Sequence, residues 1–307
     1  MGEDIRPLEA KRFREAILDY LSPAKHMKLY DFSVRDHLEK LELIDAGYGR
    51  WLKRLLPYLV NRYDLQGKRI LDLGCGTGEL AVRMNLLGFE TVGLDVNERT
   101  LDLAKILAVE NGLPETVFVK ANSGLLPFAE NSFDIITMFS VLEHVDDQTL
   151  INQLLPELKR ICRGVVYILV PNKLKPSDDH TSLKLVCWMP KRLAEVYIKV
   201  RGPKYRYFLS ASGAWDVSYR TFSRISSLLL SDFLLDFPSV EVMYPPLDNA
   251  PMITRIGKNM RIGERKIFIG IPIPWKLMVR MGHPKEAFYP YLNLIAIPRK
   301  NQKTDSP

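Results

Sequence analysis

The spacing of apolar and polar positions divides the chain into stretches with different rhythms. Up to residue 66, apolar side chains recur at steps of three and four over Arg12–Leu21 and Leu38–Tyr63, with Pro23 and Pro57 as punctuation, which predicts helices. The rhythm then shortens. Arg69-Ile-Leu-Asp-Leu73 is a short apolar strand that runs directly into glycines at 74, 76 and 78. The pattern predicts a helix over Glu79–Leu87 that stops at Gly88, a residue type suited to the position just past a helix end. Thr91–Asp95 predicts a second strand, Glu98–Asn111 a helix closed by Gly112, and Thr116–Ala121 and Ser132–Phe139 two more strands. Asp146 or Asp147 can cap the next helix, which Pro156 breaks or restarts. Gly164 is expected to close that helix, with Val165–Val170 as a fifth strand ahead of Pro171. Strands alternating with helices imply an α/β fold with a doubly wound, mostly parallel sheet.

Beyond Pro171 the alternation fails. Asn172–Gly213 is rich in Lys, Arg and aromatic residues without a clear strand or helix period. Thr221–Leu235 predicts a helix, Val240–Tyr244 a strand and Tyr291–Pro298 the last strand, while Lys266–Val279 is apolar but interrupted by Pro272 and Pro274. The expected organisation is a helical N-terminal region (1–66), a core (67–171), a basic and aromatic cap insertion (172–215), a C-terminal part of the core sheet (216–300) and a flexible tail (301–307).

Composition adds little except through charge. With 47% hydrophobic and 26% charged residues over 307 positions, the chain can bury a large core under an ordinary surface. A net charge of +7 favours acidic partners: nucleic acid, an anionic membrane surface or phosphorylated substrates. Cys75, Cys162 and Cys187 form neither a disulfide framework nor a zinc cluster, so a reducing cytosol is the simplest setting. Met1–Arg14 has no apolar signal core, and no apolar run is long enough to span a bilayer. A cytoplasmic protein is expected, with peripheral membrane contact as an option.

The chemistry concentrates where the first strand meets the glycines. Glycines let ligand lie against bare backbone, and the helix start beyond them offers N–H groups to negative charge. Asp95 ends the next strand, 21 residues after Gly74, where a carboxylate can accept both hydroxyls of a ribose. A dinucleotide fingerprint would need a third glycine five positions after the first, but position 79 is Glu. Asp72-Leu-Gly74-Cys75-Gly76-Thr-Gly78 instead closely resembles motif I of class I S-adenosylmethionine-dependent methyltransferases. Val119-Lys-Ala-Asn122-Ser123-Gly-Leu-Leu-Pro-Phe128 is similar to the family segment at the end of the third strand, with Asn122 where an Asp is usual. Ser132-Phe-Asp-Ile-Ile136 resembles motif IV, and Val141-Leu-Glu-His144-Val145 the segment beyond it. Together these cover about residues 68–171.

The resemblance implies a seven-stranded Rossmann-like methyltransferase fold, with N-terminal helices and a helical insertion after the fifth strand, and S-adenosyl-L-methionine as cofactor. It places the turn Gly74, Cys75, Gly76 and Gly78 along the methionine half, Asp72 near its amino group, and Asp95 at the ribose. Asn122 and Ser123 flank the adenine, Phe139 sits beside the sulfonium, and Leu94, Val96 and Leu125 sandwich the base.

A sulfonium methyl is already electrophilic, so alignment supplies much of the catalysis, and an oxygen nucleophile additionally needs a base. His144 is the leading candidate base, because it follows the strand whose end faces the methyl group; the alternative is a histidine that braces a helix start. His180 is the second candidate, or else a solvated loop residue, and His26, His37 and His283 have no supporting context. Glu143-His144 is similar to the Glu-x-x-Glu-His metal site of some quinone and RNA-end methyltransferases, but Ser140 replaces the first Glu, so no metal is expected.

Acceptor recognition falls to elements outside the core. Trp188–Arg192 and Tyr197–Phe208 interleave basic and aromatic residues, which suits an anionic headgroup or, on the blander reading, a solvated cap whose aromatics pack inward. The arrangement looks like that of ubiquinone-type O-methyltransferases, which carry a membrane-touching insertion here. Trp215–Phe222 resembles their segment that lines the acceptor pocket, which makes Asp216, Tyr219 and Arg220 candidate substrate contacts. Ile267–Val279 could add membrane contact or cover a sheet edge. The leading expectation is O-methylation of a small or lipid-linked acceptor, such as a glycan or a polyprenyl or quinone-like compound. The alternatives are an RNA or protein methyltransferase and a non-catalytic cofactor-binding scaffold. Against the RNA or protein reading, no RNA-binding module and no Asn/Asp-Pro-Pro-Tyr motif is present, so nucleic acid is not an expected partner.

Overall fold

Runs of buried aliphatic residues with no polar face belong in the middle of a parallel sheet, covered on both sides. β1 (Arg69–Leu73) and β4 (Phe133–Phe139) are such runs and lie side by side at its centre. A computed structural model describes residues 7–25, 30–42, 51–65, 69–122, 124–175, 177–178, 180–205, 217–236, 255–262, 265–272 and 291–299. β2 (Glu90–Asp95), β3 (Phe118–Lys120), β5 (Cys162–Pro171), β6 (Phe233–Asp236) and β9 (Tyr291–Pro298) complete a seven-stranded sheet in the order β3-β2-β1-β4-β5-β9-β6. The first five strands pair in parallel, and β9 runs antiparallel between β5 and β6. The doubly wound, mostly parallel seven-stranded sheet expected from the sequence is therefore present.

Each face of the sheet has its own core. On one side Trp51, Leu52, Leu55, Leu56 and Leu59, from a π turn (Trp51–Leu55) and the helix Leu56–Arg62, pack on Ile70, Ile135, Val165, Tyr167 and Ile295. On the other, Leu150–Ile161 and the helix Phe222–Leu229 cover Leu71, Leu73, Ile136, Met138, Val166 and Ile168. A third cluster joins the first helix, Lys11–Leu21, through Phe13 and Ile17 to the helix Glu98–Glu110. Each fully buried Leu or Ile contributes roughly 1.5–3 kcal/mol, so this contact ties the N-terminal helices firmly to the core.

Several boundaries differ from the sequence reading, each for a tertiary reason. Gly164 does not close a helix: the helix ends at Ile161 and Gly164 lies inside β5, where a Cβ would collide with the carbonyl oxygen of Asp134 on β4. The helix expected over Thr221–Leu235 stops at Leu229, and Phe233–Asp236 pairs with β9 as the edge strand β6. The strand expected over Thr116–Ala121 shortens to Phe118–Lys120 behind a 3-10 turn at Glu115–Val117. Lys266–Pro272 belongs to β8 (Arg265–Pro272), which forms a two-stranded antiparallel sheet with β7 (Arg255–Ile262), apart from the main sheet. The rest of the Lys266–Val279 stretch, the Val240–Tyr244 strand and the 301–307 tail lie outside the described residues. Between β5 and the helix Phe222–Leu229 the insertion carries a helix at Lys191–Arg201. Among the described residues, no helix is long and apolar enough to cross a membrane.

Candidate active site

In a doubly wound sheet ligands bind beyond the carboxyl ends of the strands, and here that edge gathers the glycine turn, Asp72 and Asp95. Gly74 N and Cys75 N both donate to Leu94 O, at 2.7 and 3.0 Å, which ties the turn to the end of β2. Gly76 has φ +54°, and a Cβ there would meet nothing within 4 Å, so its backbone faces open space. Gly78 has φ +83°, but its Cβ would come within 2.6 Å of Phe118 and 2.7 Å of Ala104. The two glycines answer different needs: Gly76 leaves room for a ligand, and Gly78 lets helix and sheet close up.

Asp95 accepts from Gly76 N (2.9 Å) and Asn97 N (2.8 Å). These bonds hold the carboxylate on the open side of the turn with acceptor capacity to spare. Leu94 is buried, whereas Val96 and Leu125 are 66% and 75% exposed. Asn122 Oδ1 accepts from Gly124 N (3.0 Å), while Ser123 lies outside the described residues. Glu157 takes Leu126 N (2.7 Å), and Arg160 donates to Leu126 O (3.0 Å) and Phe128 O (2.6 Å), fixing the loop that carries Leu125.

Beneath the turn, Asp72 is 3% exposed and accepts one hydrogen bond from Thr137 Oγ1 (2.8 Å). Burial, reinforced by the charges of Asp95 and Glu79 and opposed by the Thr137 bond, pushes its pKa up to about 7. No arginine or lysine among the described residues pairs with it. Cys75 is buried and burial holds its thiol well above the usual range, so the residue contributes backbone rather than a nucleophile. Phe139 ends β4 with its ring 5.7 Å from Trp51 and 5.5 Å from Tyr167, one edge of an aromatic cluster.

Glu79, the first residue of the helix Glu79–Leu86, is buried beside the turn. His37 Nδ1 lies 2.9 Å from its Oε1, and Thr77 Oγ1 donates to Oε2 (2.7 Å). Burial raises the Glu79 pKa, but His37, Lys40 and Thr77 outweigh it and bring it to about 2. Arg83 donates to the carbonyls of Lys40 (2.7 Å) and Leu41 (2.6 Å), so the helix Tyr30–Glu42 is fastened to the turn at two points. Sequence reasoning found no role for His37; the signal available was a helix-initial Glu after the turn, which needs a partner once buried.

On the acceptor side the chain leaves β4 through Ser140, held at φ +55° with its N donating to Leu169 O (2.8 Å). A non-glycine residue in that region costs roughly 1–2 kcal/mol, and the turn it makes delivers the 3-10 segment Leu142–His144 to the sheet edge. His180, from the insertion loop, comes to 5.3 Å from His144 ring to ring, and Tyr219 stacks on His180 at 6.3 Å. The Tyr219 hydroxyl donates to Asp178, which also accepts from Thr181 N. His144, His180 and Tyr219 thus form one group although they are far apart in sequence. Burial, and then the neighbouring His180, lowers the His144 pKa to about 4.

Ligand atoms of Glu143, His144 and His180 lie within 4.8 Å of one another, a carboxylate and two imidazoles that can hold a divalent cation. The sequence reading, which looked for a second Glu at position 140, expected no metal there; the loop carrying His180 supplies a third donor instead. Arg220 is a correction to the expected acceptor contacts. Its buried guanidinium donates to Asp147 (2.8 Å), Leu142 O and Val145 O, so it braces the segment bearing His144 rather than facing a ligand. Asp216 lies outside the described residues. Asp134, within the motif IV resemblance, sits at the opposite end of the sheet, accepting from Arg163 (2.7 Å twice) and Arg69 N (2.8 Å).

Residues 64–197 match a family model described as a methyltransferase domain. Over 90 residues the chain is 39% identical to the ubiquinone biosynthesis O-methyltransferase of Nitrosococcus oceani, covering 29% of this chain and 38% of that protein. The protein of the same name from Neisseria meningitidis is 35% identical over 127 residues, 41% of this chain and 53% of its own. The chain therefore spans about half or less of the length of these relatives. A crystal structure of a SAM-dependent methyltransferase from Methanosarcina mazei covers 78% of this chain and 96% of its own, with 19% identity and a TM-score of 0.44.

Proposed function

We propose that this chain, whose residues 64–197 match a methyltransferase-domain family model, transfers a methyl group from S-adenosyl-L-methionine to an oxygen of a small or lipid-linked acceptor. One observation carries the cofactor half of this reading. The open backbone at Gly76 lies directly on the Asp95 carboxylate, above a buried Asp72 that has no cationic partner among the described residues. A nucleoside joined to an amino acid meets all three needs: ribose hydroxyls for Asp95, an ammonium for Asp72 and a chain thin enough to lie on Gly76. The exposed Val96 and Leu125 offer apolar cover to the base.

The cofactor supplies an electrophilic methyl on a positively charged sulfur. The protein's residues hold, orient and deprotonate. Asp72 would help hold the cofactor's ammonium, whose positive charge would offset the burial that raises the carboxyl's pKa. His144, exposed beside His180 at the sheet edge, would take the acceptor's proton as the general base. Arg220, paired with Asp147, braces the backbone on either side of His144 through the carbonyls of Leu142 and Val145. The printed name of the relatives, ubiquinone biosynthesis O-methyltransferase, supports an oxygen acceptor of quinone-like or polyprenyl-phenol chemistry.

The test is a transfer assay with methyl-labelled cofactor against cell extract separated into lipid, glycan, RNA and protein fractions. Label is expected in the lipid or small-glycan fraction; label confined to RNA or protein overturns the acceptor class. A second reading of His144 rests on the donor geometry it shares with Glu143 and His180. If chelation abolishes turnover and an added divalent cation restores it, His144 is a ligand; turnover indifferent to chelator keeps it as the base.

A further inference from the structure

Between its last two glycines the cofactor turn has a single side chain, that of Thr77. Gly76 and Gly78 both sit at positive φ, +54° and +83°. Glycine backbone is the freest in a chain, so the shape of the open stretch at Gly76 depends on what Thr77 holds. Its Oγ1 donates to Glu79 Oε2 at 2.7 Å, and His37 Nδ1 lies 3.3 Å from the same oxygen and 2.9 Å from Glu79 Oε1. A carboxylate only accepts, and Thr77 gives its own proton to Glu79. Nδ1 of His37 must therefore carry a proton and donate it to this pair.

The imidazole comes from an apolar face. On the helix Tyr30–Glu42, Leu41 is fully buried, and Tyr30, Val34 and Leu38 pack with it on the cluster that holds Cys75, Ala81 and Val82. His37 follows Val34 by three residues and precedes Leu41 by four, which puts it on the same side of the helix. An aliphatic side chain would pack there as well, and exchange of a buried ion pair for apolar groups is commonly neutral or stabilising. The helix is also fastened independently, where Arg83 donates to the carbonyls of Lys40 and Leu41. Docking of the helix thus does not call for an imidazole at 37; the conformation of the turn does.

Glu79 and Thr77 are 2% and 4% exposed. Side chains so deeply enclosed act on a ligand through the backbone they fix, not by touching it. The backbone in question is the one that leaves room for a ligand at Gly76 and passes its N–H to Asp95.

We propose that His37 is a positioning residue for the cofactor turn: by holding Thr77 and Glu79 it keeps the Gly76 backbone in its ligand-ready form, and so couples cofactor binding to the docking of the helix Tyr30–Glu42. The proposal rests on the cofactor reading given above. Such coupling is reciprocal. Whatever factor the docked imidazole adds to cofactor affinity, bound cofactor adds to the hold on the helix.

The experiment joins calorimetric titration of the full chain with S-adenosyl-L-methionine to amide hydrogen exchange with and without it. His37→Ala should weaken binding about tenfold; alanine is the better helix former, so a weaker helix is not the cause. In the parent, cofactor should slow exchange over residues 30–42 by a similar factor, and in His37→Ala that slowing should vanish. His37→Asn, whose amide nitrogen takes the place of Nδ1 at similar helix propensity, should restore most of the affinity. Because His37→Ala strands a buried carboxylate, the double variant His37→Ala/Glu79→Gln removes that charge and secures the fold, yet should bind as weakly as His37→Ala. Four results would each overturn the proposal: binding by His37→Ala within about twofold of the parent, affinity recovered in the double variant, no gain in His37→Asn, or exchange over 30–42 indifferent to cofactor. No binding by the folded parent defeats the cofactor reading itself, and the proposal falls with it.

Discussion

Two aspartates on neighbouring strands, Asp72 near the end of β1 and Asp134 near the start of β4, show what separates a working carboxylate from a structural one. Both are nearly inaccessible, at 3% and 4% exposure. Burial raises the pKa of Asp134 too, but Arg163 and the backbone N–H of Arg69 outweigh it and hold that carboxyl below the usual range. Among the described residues Asp72 has one neutral side-chain donor, Thr137, and burial raises its pKa to about 7. At the end of the sheet with Asp134 the buried carboxylate has its counter-charge; at the end with Asp72, no arginine or lysine among the described residues pairs with the acid. A buried acid without a counter-charge is costly to the fold, and on the proposed reading the ammonium of the bound cofactor would supply one.

The largest effect that sharpens this contrast is on stability. Asp134→Ala leaves Arg163 and the Arg69 N–H without their acceptor and should cost about 3 kcal/mol in denaturant unfolding, with cofactor affinity unchanged. Gly78→Ala, which forces a Cβ against Phe118 and Ala104 at positive φ, should cost a similar amount, about 3 kcal/mol. Loss of cofactor affinity without loss of stability in either variant would break the division between the two ends.

Next in size is an effect on turnover. His144→Ala should lower kcat about a hundredfold while calorimetric cofactor affinity stays within about twofold of the parent. Undiminished turnover rules out the base. The low pKa of His144 also has a consequence for the fold. The unfolded imidazole takes up a proton below its ordinary pKa of 6.5 and the folded one only near 4, so stability from this group is lost as pH falls through that window.

For Asp72 the sign is reversed. The folded carboxyl keeps its proton to about pH 7 and the unfolded one loses it near 3.8, so stability from this group declines as pH rises between those values. Binding follows the same titration. Below pH 7 the carboxyl must give up its proton to receive an ammonium, so affinity should climb up to about tenfold per pH unit and level off above. Asp72→Asn should weaken cofactor binding at least about tenfold at pH 8 and abolish the slope, without destabilising the protein at neutral pH. The smallest expected effect on stability is that of Gly76→Ala, about 1 kcal/mol for the positive φ, although cofactor binding should be lost because the new Cβ would occupy the ligand's place.

The contrast also explains which parts were legible in the sequence. β1, β2, β4 and the turn between Gly74 and Gly78 could be read because their determinants are local: continuous apolar runs, and glycines next to a helix start. Asp95 followed from its spacing to the turn. Gly164 was misread because a glycine after a helical run looks like a stop, whereas its cause is the approach of Asp134 on another strand. Leu230–Leu235 carries the same residue types as the helix before it, and only β9 decides that it ends in a strand. Arg220 looked like a ligand contact and is an internal brace, and His37 looked idle and holds Glu79; in both, the deciding partner lies forty or more positions away. The grouping of His180 with His144 and Tyr219 is equally non-local, since it is made by the insertion folding back over the sheet edge.

The central claim is that the open turn over Asp72 and Asp95 is a site for S-adenosyl-L-methionine whose ammonium completes a buried charge pair. Calorimetric titration of the parent and of Asp72→Asn with S-adenosyl-L-methionine at pH 6, 7 and 8 tests it most directly. The account predicts one cofactor per chain, an affinity that rises through about pH 7 in the parent, and a flat, weaker profile in the variant. No binding by folded protein, or the same pH slope in both, contradicts it.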